Sequence, residues 1–137
     1  MKLLKLALAI CLMSCPARAI SEEARMSFEQ VACQISAEAI VVTWKNPAGD
    51  TRRIAFMDQY REFALKSPDT KGLLKWSNTK AVHVAPAEPT DGKRLMKIEY
   101  RYEGDDSLHI FEAGQIDGPC LSSLRDRYGA SLKFTDN

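Results

Sequence analysis

The sequence contains few of the residues from which catalytic and metal sites are most often built. Among its 137 residues there are only two histidines, four cysteines and seven glycines. The glycines stand singly rather than in a phosphate-binding loop, and neither a G-x-S-x-G nor an H-E-x-x-H motif occurs. These absences argue against a nucleotide-binding protein, a common serine hydrolase and a zinc peptidase, and they predict no cofactor.

The N-terminus has the three parts of a secretory signal peptide in the right order. Lys2 and Lys5 precede a short apolar run, and the tripeptide Ala-Arg-Ala ends at residue 19. The run is shorter than the roughly 20 residues that a membrane helix needs, and no later stretch reaches that length. We therefore expect a signal peptide, residues 1–19, and one mature domain, residues 20–137, without a membrane span. A short buried helix is the alternative interpretation of the N-terminus.

A second kind of processing is compatible with the same segment. Leu12-Met13-Ser14-Cys15 resembles a bacterial lipobox, in which Cys15 would be acylated. Met13 is larger than this pattern prefers, and Pro16 follows the cysteine directly. The lipoprotein alternative would anchor the protein to a membrane through Cys15, whereas cleavage after residue 19 predicts a periplasmic or secreted protein.

The charges of the mature chain are nearly balanced. A cut after residue 19 would remove Lys2, Lys5 and Arg18 and no acid, which leaves 16 basic and 18 acidic side chains. The longest basic runs are the doublets Arg52-Arg53 and Lys93-Arg94. No long run of one sign is present, so the sequence predicts no nucleic-acid partner.

The clearest structural pattern lies between residues 94 and 113. From Met96 to Glu103 apolar and charged side chains alternate strictly, which is typical of a half-buried strand, and the acidic segment Glu-Gly-Asp-Asp predicts a turn before a second strand. The register has two solutions: Tyr100 lies beside His109, with Ile98 beside Phe111 and Tyr102 facing Ser107, or Tyr100 pairs with Ile110 and His109 is exposed. A shift of one residue exchanges the two faces of the hairpin.

Elsewhere the patterns predict a mixture of helices and strands. The expected helices comprise residues 21–35, 58–66 and 118–128, and the expected strands comprise residues 39–44, 51–56, 80–85 and 131–134. Residues 73–76 fit either a short strand or a turn of helix, and residues 31–35 also alternate like a strand. The expected class is α+β: a small single domain with a mainly antiparallel sheet of about five or six strands and two or three helices.

Two cysteines remain after removal of the signal peptide, namely Cys33 and Cys120. In an oxidising compartment their simplest state is a disulfide, which would connect the first expected helix to the last. The alternatives are two free buried thiols, or a zinc site formed with His83 and His109. Because no two of these residues have the close spacing of known zinc motifs, we predict no metal site.

Catalysis is the second hypothesis for the function. His83 or His109 could act as the general base of a small envelope hydrolase, but no nucleophile stands beside either of them in a known motif. A calcium ion held by Glu103, Asp105 and Asp106 is disfavoured because the twelve-residue calcium loop is absent.

We therefore expect a non-enzymatic exported protein that binds another protein of the cell envelope or the extracellular space, as inhibitors, immunity proteins and secretion accessories do. Contact residues in such proteins are often aromatics and arginines on loops and strand edges. The candidates are Trp76, Pro86, Pro89, Arg101 and His109. A third hypothesis is a ligand-binding cup lined by aromatic side chains, namely Tyr100, Tyr102 and Phe111.

Overall fold

The computed structural model describes residues 27–86 and 93–136. The predicted signal peptide, Cys15 and Pro89 lie outside these ranges. The described part contains one α-helix, α1 (Gly118–Tyr128), one 3-10 turn (Trp76–Asn78) and nine strands. The strands are β1 (Glu29–Ile35), β2 (Ala39–Lys45), β3 (Thr51–Met57), β4 (Glu62–Lys66), β5 (Lys71–Lys75), β6 (Thr79–Pro86), β7 (Arg94–Tyr100), β8 (His109–Ile116) and β9 (Phe134–Asp136).

All nine strands belong to one mixed sheet with the order β5-β4-β3-β2-β1-β8-β7-β6-β9. Strands β1 to β5 form one antiparallel meander, and β6 to β8 form another. The two meanders meet where β1 runs parallel to β8, through the single pair Glu29 and Gln115. Strand β9 adds to the far edge, parallel to β6.

The predicted fold class is therefore wrong in its numbers of strands and helices. The described residues form nine strands and one α-helix, not five or six strands and two or three helices. The expected helix at residues 58–66 is a turn followed by β4, because Phe63 and Leu65 alternate towards the core while β3 and β5 pair with the backbone on either side. The described part of the expected helix 21–35 is mainly β1, which pairs with β2 along its length.

Most other predicted elements are confirmed, but the strand expected at residues 131–134 lies further along the chain, as β9. The hairpin of β7 and β8 adopts the first of the two registers, in which Tyr100 pairs with His109 and Ile98 with Phe111. Its strands end earlier than the pattern indicated, so Tyr102 lies in the connecting loop. Helix α1 begins as expected, since Asp117 precedes Gly118-Pro119 and accepts a hydrogen bond from the Cys120 amide, an N-cap that satisfies a free helical donor.

One hydrophobic core joins both meanders and the helix. At its centre four aromatic rings are in contact: Phe56 stacks on Tyr128 at 5.3 Å between ring centroids, and Phe63 meets the edge of Phe56 at 5.0 Å. Trp76 packs against Tyr128 at 5.3 Å and is only 7% exposed. Such contacts contribute about 0.5–1.5 kcal/mol each beyond area burial, so this cluster fixes the position of α1 on the sheet.

Helix α1 is attached to β1 at the start and at the middle of the strand. At the start, the Gln30 amide donates to Asp117 Oδ2 at 3.0 Å and accepts from the Asp117 amide at 3.0 Å. In the middle, Cys33 and Cys120 form the predicted disulfide. The bond connects a strand to a helix, not two helices as expected.

A third attachment lies at the end of α1. The Arg127 guanidinium donates to the carbonyls of Ser36 and Ala37, which follow β1. The same guanidinium lies 2.8 Å from Asp58. Helix α1 is thus held along the whole length of β1, from the beginning of the strand to the turn after it.

Candidate interaction site at the β7–β8 hairpin

The loop between β7 and β8, residues 101–108, is held by hydrogen bonds on both sides. The Arg101 amide donates to the carbonyl of Asn78 at 2.9 Å, which attaches the loop to the 3-10 turn before β6. Within the loop, the Asp105 amide donates to the Tyr102 carbonyl at 3.1 Å, and the Ser107 amide donates to Asp105 Oδ1 at 2.9 Å. Gly104, with a φ of 80°, provides the turn.

Three rings form a cluster at the base of this loop. The cross-strand pair Tyr100 and His109 stack with their centroids 5.4 Å apart. Tyr102 packs edge-on against both, at 5.4 Å from Tyr100 and 5.2 Å from His109. Asp105 Oδ2 lies 3.4 Å from His109 Nε2. The imidazole is therefore oriented by two rings and one carboxylate, so the loop presents His109 and Tyr102 in a fixed geometry.

Burial sets the pKa of one group in this cluster, and hydrogen bonds set the pKa of another. Desolvation, together with hydrogen bonding to Tyr102, raises the pKa of Tyr100 to about 12, so its hydroxyl stays protonated at neutral pH. The backbone amide of Ser107, and then His109, lower the pKa of the Asp105 carboxyl. The site therefore combines the neutral, buried phenol of Tyr100 with the exposed carboxylate of Asp105.

The outer part of the site is accessible and partly apolar. Tyr102 is 48% exposed and Leu108 is 46% exposed, although both are large hydrophobic residues. Arg101 is exposed beside them, and His109 is half-buried. We name these four residues, Arg101, Tyr102, Leu108 and His109, the tip surface. It contains the tyrosine and arginine types that contribute most to protein interfaces.

A polar depression of about 480 Å³ borders the tip surface. Its wall comprises Ser77, Asn78, Thr79, Lys80, Arg101, Tyr102, Gly104, Asp105 and Asp106. Ser77 and Lys80 have S-x-x-K spacing, a signal in the sequence that the prediction from motifs missed. The spacing brings serine and lysine to one face only on a helix, whereas here Ser77 lies in the 3-10 turn and Lys80 in β6. No hydrogen bond joins their side chains in the described structure, so we assign them to the wall and not to catalysis.

The five residues predicted as partner contacts do not form one surface. Arg101 and His109 lie together at the tip, as described above. Trp76 is buried in the aromatic core instead, because the 3-10 turn directs it between Phe63 and Tyr128. Pro86 is exposed at the opposite end of β6, where it pairs with Arg94.

The other histidine belongs to a separate cluster on β6, β7 and β9. Thr135 Oγ1 lies 2.6 Å from His83 Nδ1, and Glu99 Oε2 lies 3.3 Å from His83 Nε2. Hydroxyl, imidazole and carboxylate thus follow one another as they do in hydrolase triads. The sequence did not indicate this contact, since 52 residues separate Thr135 from His83. The Thr135–His83 contact also attaches the short strand β9 to β6.

The alternative sites predicted from the sequence are not assembled. Among residues 27–86 and 93–136 no group of three or more histidine, cysteine or acidic side chains is arranged to hold a metal ion, and both cysteines are in the disulfide. Two residues of the expected aromatic cup, Tyr100 and Phe111, are each only 6% exposed and belong to the core. Over the same ranges, no helix is long and apolar enough to cross a membrane.

No family model, no curated protein and no solved structure matches the chain. The geometry and chemistry of the chain's own residues are therefore the basis for its proposed function.

Proposed function

We propose that the protein is an exported binding protein that contacts another protein of the cell envelope or the extracellular space through the tip surface. The observation that carries the proposal is the three-ring cluster at the exposed end of the β7–β8 hairpin. Tyr102 and His109 are held by ring contacts and by the hydrogen-bonded loop, so little conformational entropy is lost when a partner orders them. Arg101 adds a planar donor that matches carboxylates.

The disulfide supports the export part of the proposal. Disulfides persist in oxidising compartments and are rare where thiols are kept reduced, and the Cys33–Cys120 bond closes a long stretch of chain. The N-terminal signal predicted from the sequence agrees with this location. Periplasm, medium and a membrane anchor through Cys15 are distinguished by fractionating cells and determining the mass of the mature N-terminus.

The test is a capture experiment with the oxidised mature protein on beads, using envelope extract and culture medium. We expect a partner whose retention falls at least tenfold for Tyr102→Ala, because large exposed aromatics are the usual interface hot spots. Tyr60→Ala is the matched control, since Tyr60 is 63% exposed and lies in the β3–β4 turn. A partner lost equally with both variants, or no partner in either fraction, contradicts the proposal.

A second candidate function, hydrolysis, is favoured by the Thr135–His83–Glu99 arrangement. In such a reaction His83 would accept the Thr135 hydroxyl proton while Glu99 stabilises the imidazolium. The test is ester hydrolysis by wild type, His83→Ala and Thr135→Val, with His109→Ala as the control. Turnover lost in the first two variants and kept in the control would support a hydrolase. Equal rates in all four proteins would exclude it.

A further inference from the structure

The outer face of β3, β4 and β5 has its side chains in rows across the strands. The pairing places Arg53 opposite Lys66, and Lys66 opposite Lys71. Side chains directly opposite on neighbouring strands lie on the same face with Cβ atoms about 4.5–5.5 Å apart. All three residues are exposed, whereas their strand neighbours Ile54 and Leu65 are buried. We name Arg53, Lys66 and Lys71 the cationic row.

Among residues 27–86 and 93–136, no acidic side chain pairs with the cationic row. None of its members forms an ion pair or a side-chain hydrogen bond within the described residues. The acid nearest in sequence, Asp69 in the β4–β5 turn, accepts hydrogen bonds from Ser67 and Thr70. Like charges directly opposite one another destabilise a sheet, so this arrangement costs stability in the isolated protein.

The next row on this face is apolar. Val41, Ala55, Ala64 and Leu73 follow one another across four strands. The small alanines leave a shallow groove of about 280 Å³, and Leu73 beside it is 63% exposed. In the row beyond, Glu62 stands opposite Lys75, so the charges there are balanced. The face is thus amphipathic, with uncompensated cations on one side of an apolar strip only.

Protection of a sheet edge does not explain this pattern. Lysines on an edge strand prevent pairing with other chains, and Lys71 on β5 fits that role. Arg53 and Lys66, however, lie on β3 and β4, which are paired on both sides. The row is therefore better explained by an anionic partner that contacts the whole face.

We propose that this face binds the surface of an anionic lipid bilayer, with the cationic row among the headgroups and Leu73 at the interface below them. Lysine ammonium groups without fixed hydrogen-bond partners act as mobile point charges, which suit fluid headgroups better than one defined carboxylate on a protein. Basic residues near an anionic surface each add to binding, and exposed apolar side chains insert beside them. None of the seven residues in the cationic and apolar rows is aromatic, so this surface offers no ring on which a nucleic acid could stack. The proposal does not depend on the tip surface.

The experiment is co-sedimentation of the oxidised mature protein with vesicles. Vesicles of equal parts phosphatidylglycerol and phosphatidylcholine should bind it, vesicles of phosphatidylcholine alone should not, and salt should weaken the binding because it screens exposed charges. Lys66→Gln combined with Lys71→Gln should lower the partition coefficient about 25-fold, which is about fivefold for each charge. These changes remove a repulsion, so loss of folding is not a concern.

Two controls distinguish binding through this face from the effects of net charge and of general hydrophobicity. Lys80→Gln with Lys133→Gln removes the same charge from exposed positions elsewhere and should change binding by less than about twofold. Leu73→Ser should weaken binding, whereas Val31→Ser, at a residue that is 58% exposed on β1, should not. Equal losses in both lysine pairs would overturn the proposal. The proposal would also be overturned if the protein bound single-stranded DNA or polyglutamate through Lys66 and Lys71 and did not bind vesicles.

Discussion

The phenol of Tyr128 lies 2.6 Å from Oδ1 of Asp58, and this contact joins α1 to the end of β3. Burial, and then the hydrogen bond to Asp58, raise the pKa of Tyr128 well above its usual range. A raised pKa in the folded state stabilises the fold below the pKa of the unfolded chain, about 10, and this contribution is lost as the pH rises towards the folded value. The protein should therefore lose stability above about pH 10.

Tyr128→Phe tests this coupling. The variant should lose about 1 kcal/mol at neutral pH with the hydrogen bond, and its stability should fall less steeply than that of wild type above about pH 10, by up to about 1.4 kcal/mol per pH unit. Urea unfolding at a series of pH values measures both effects. Tyr60→Phe, at an exposed position, is the control. Identical slopes for wild type and Tyr128→Phe would show that the phenol is not linked to folding.

The disulfide should contribute a large part of the stability. Cys33 and Cys120 are 87 residues apart, and in the chain-entropy model a loop of that size is worth about 4.5 kcal/mol. Reduction should therefore lower the melting temperature and the urea midpoint, and the oxidised protein should weigh two hydrogens less than the reduced one. A variant with both cysteines changed to serine should not respond to reductant. Free thiols at both positions in exported protein would contradict the assignment.

Gly114 should not tolerate a side chain. Its φ is 140°, and an added Cβ would lie 2.5 Å from the Phe28 carbonyl oxygen and 2.8 Å from Trp44 Cδ1, where the two meanders meet. Because both groups are packed, Gly114→Ala should cost about 3 kcal/mol or more. Gly72→Ala is the control, since a Cβ there meets nothing within 4 Å and should change stability by less than about 1 kcal/mol. Differential scanning calorimetry of both variants provides the comparison.

Lys66→Glu should stabilise the isolated protein. The new carboxylate would stand between Arg53 and Lys71, so two repulsive pairs become attractive. Each cross-strand pair of this kind changes stability by about 0.2–1 kcal/mol, and we expect a total gain of about 1 kcal/mol in urea unfolding. Added salt should reduce the gain. A destabilised variant would mean that the cationic row is not repulsive.

The elements that the sequence predicted well have strong local signals. The hairpin of β7 and β8 alternates with period two over a long stretch, and α1 has a Gly-Pro start and a glycine after its end. The disulfide followed from the two cysteines that remain after the expected signal peptide is removed, together with an expected oxidising compartment. Each of these inferences needed only residues that are neighbours in the sequence, or a count of the cysteines.

The errors concern segments whose structure depends on distant pairing. The apolar residues of β1 and β4 fit a helix face as well as a strand face until β2, β3 and β5 pair with them. The sites were missed for the same reason. The cationic row takes one residue from each of three strands, and the Thr135–His83 contact joins β9 to β6, so neither appears as a run or motif in the sequence.

The attachment of α1 along β1 has a consequence for the newly made chain. Synthesis begins at the N-terminus, so Gln30, Cys33 and the turn after β1 exist long before Asp117, Cys120 and Arg127 are added. During that interval this strand has no cover from the helix, and in an oxidising compartment Cys33 would be a free thiol able to form a mixed disulfide with another protein. The helix, which is made late, therefore covers this strand, and in an oxidising compartment a chain that ends before residue 117 should form mixed disulfides and be degraded.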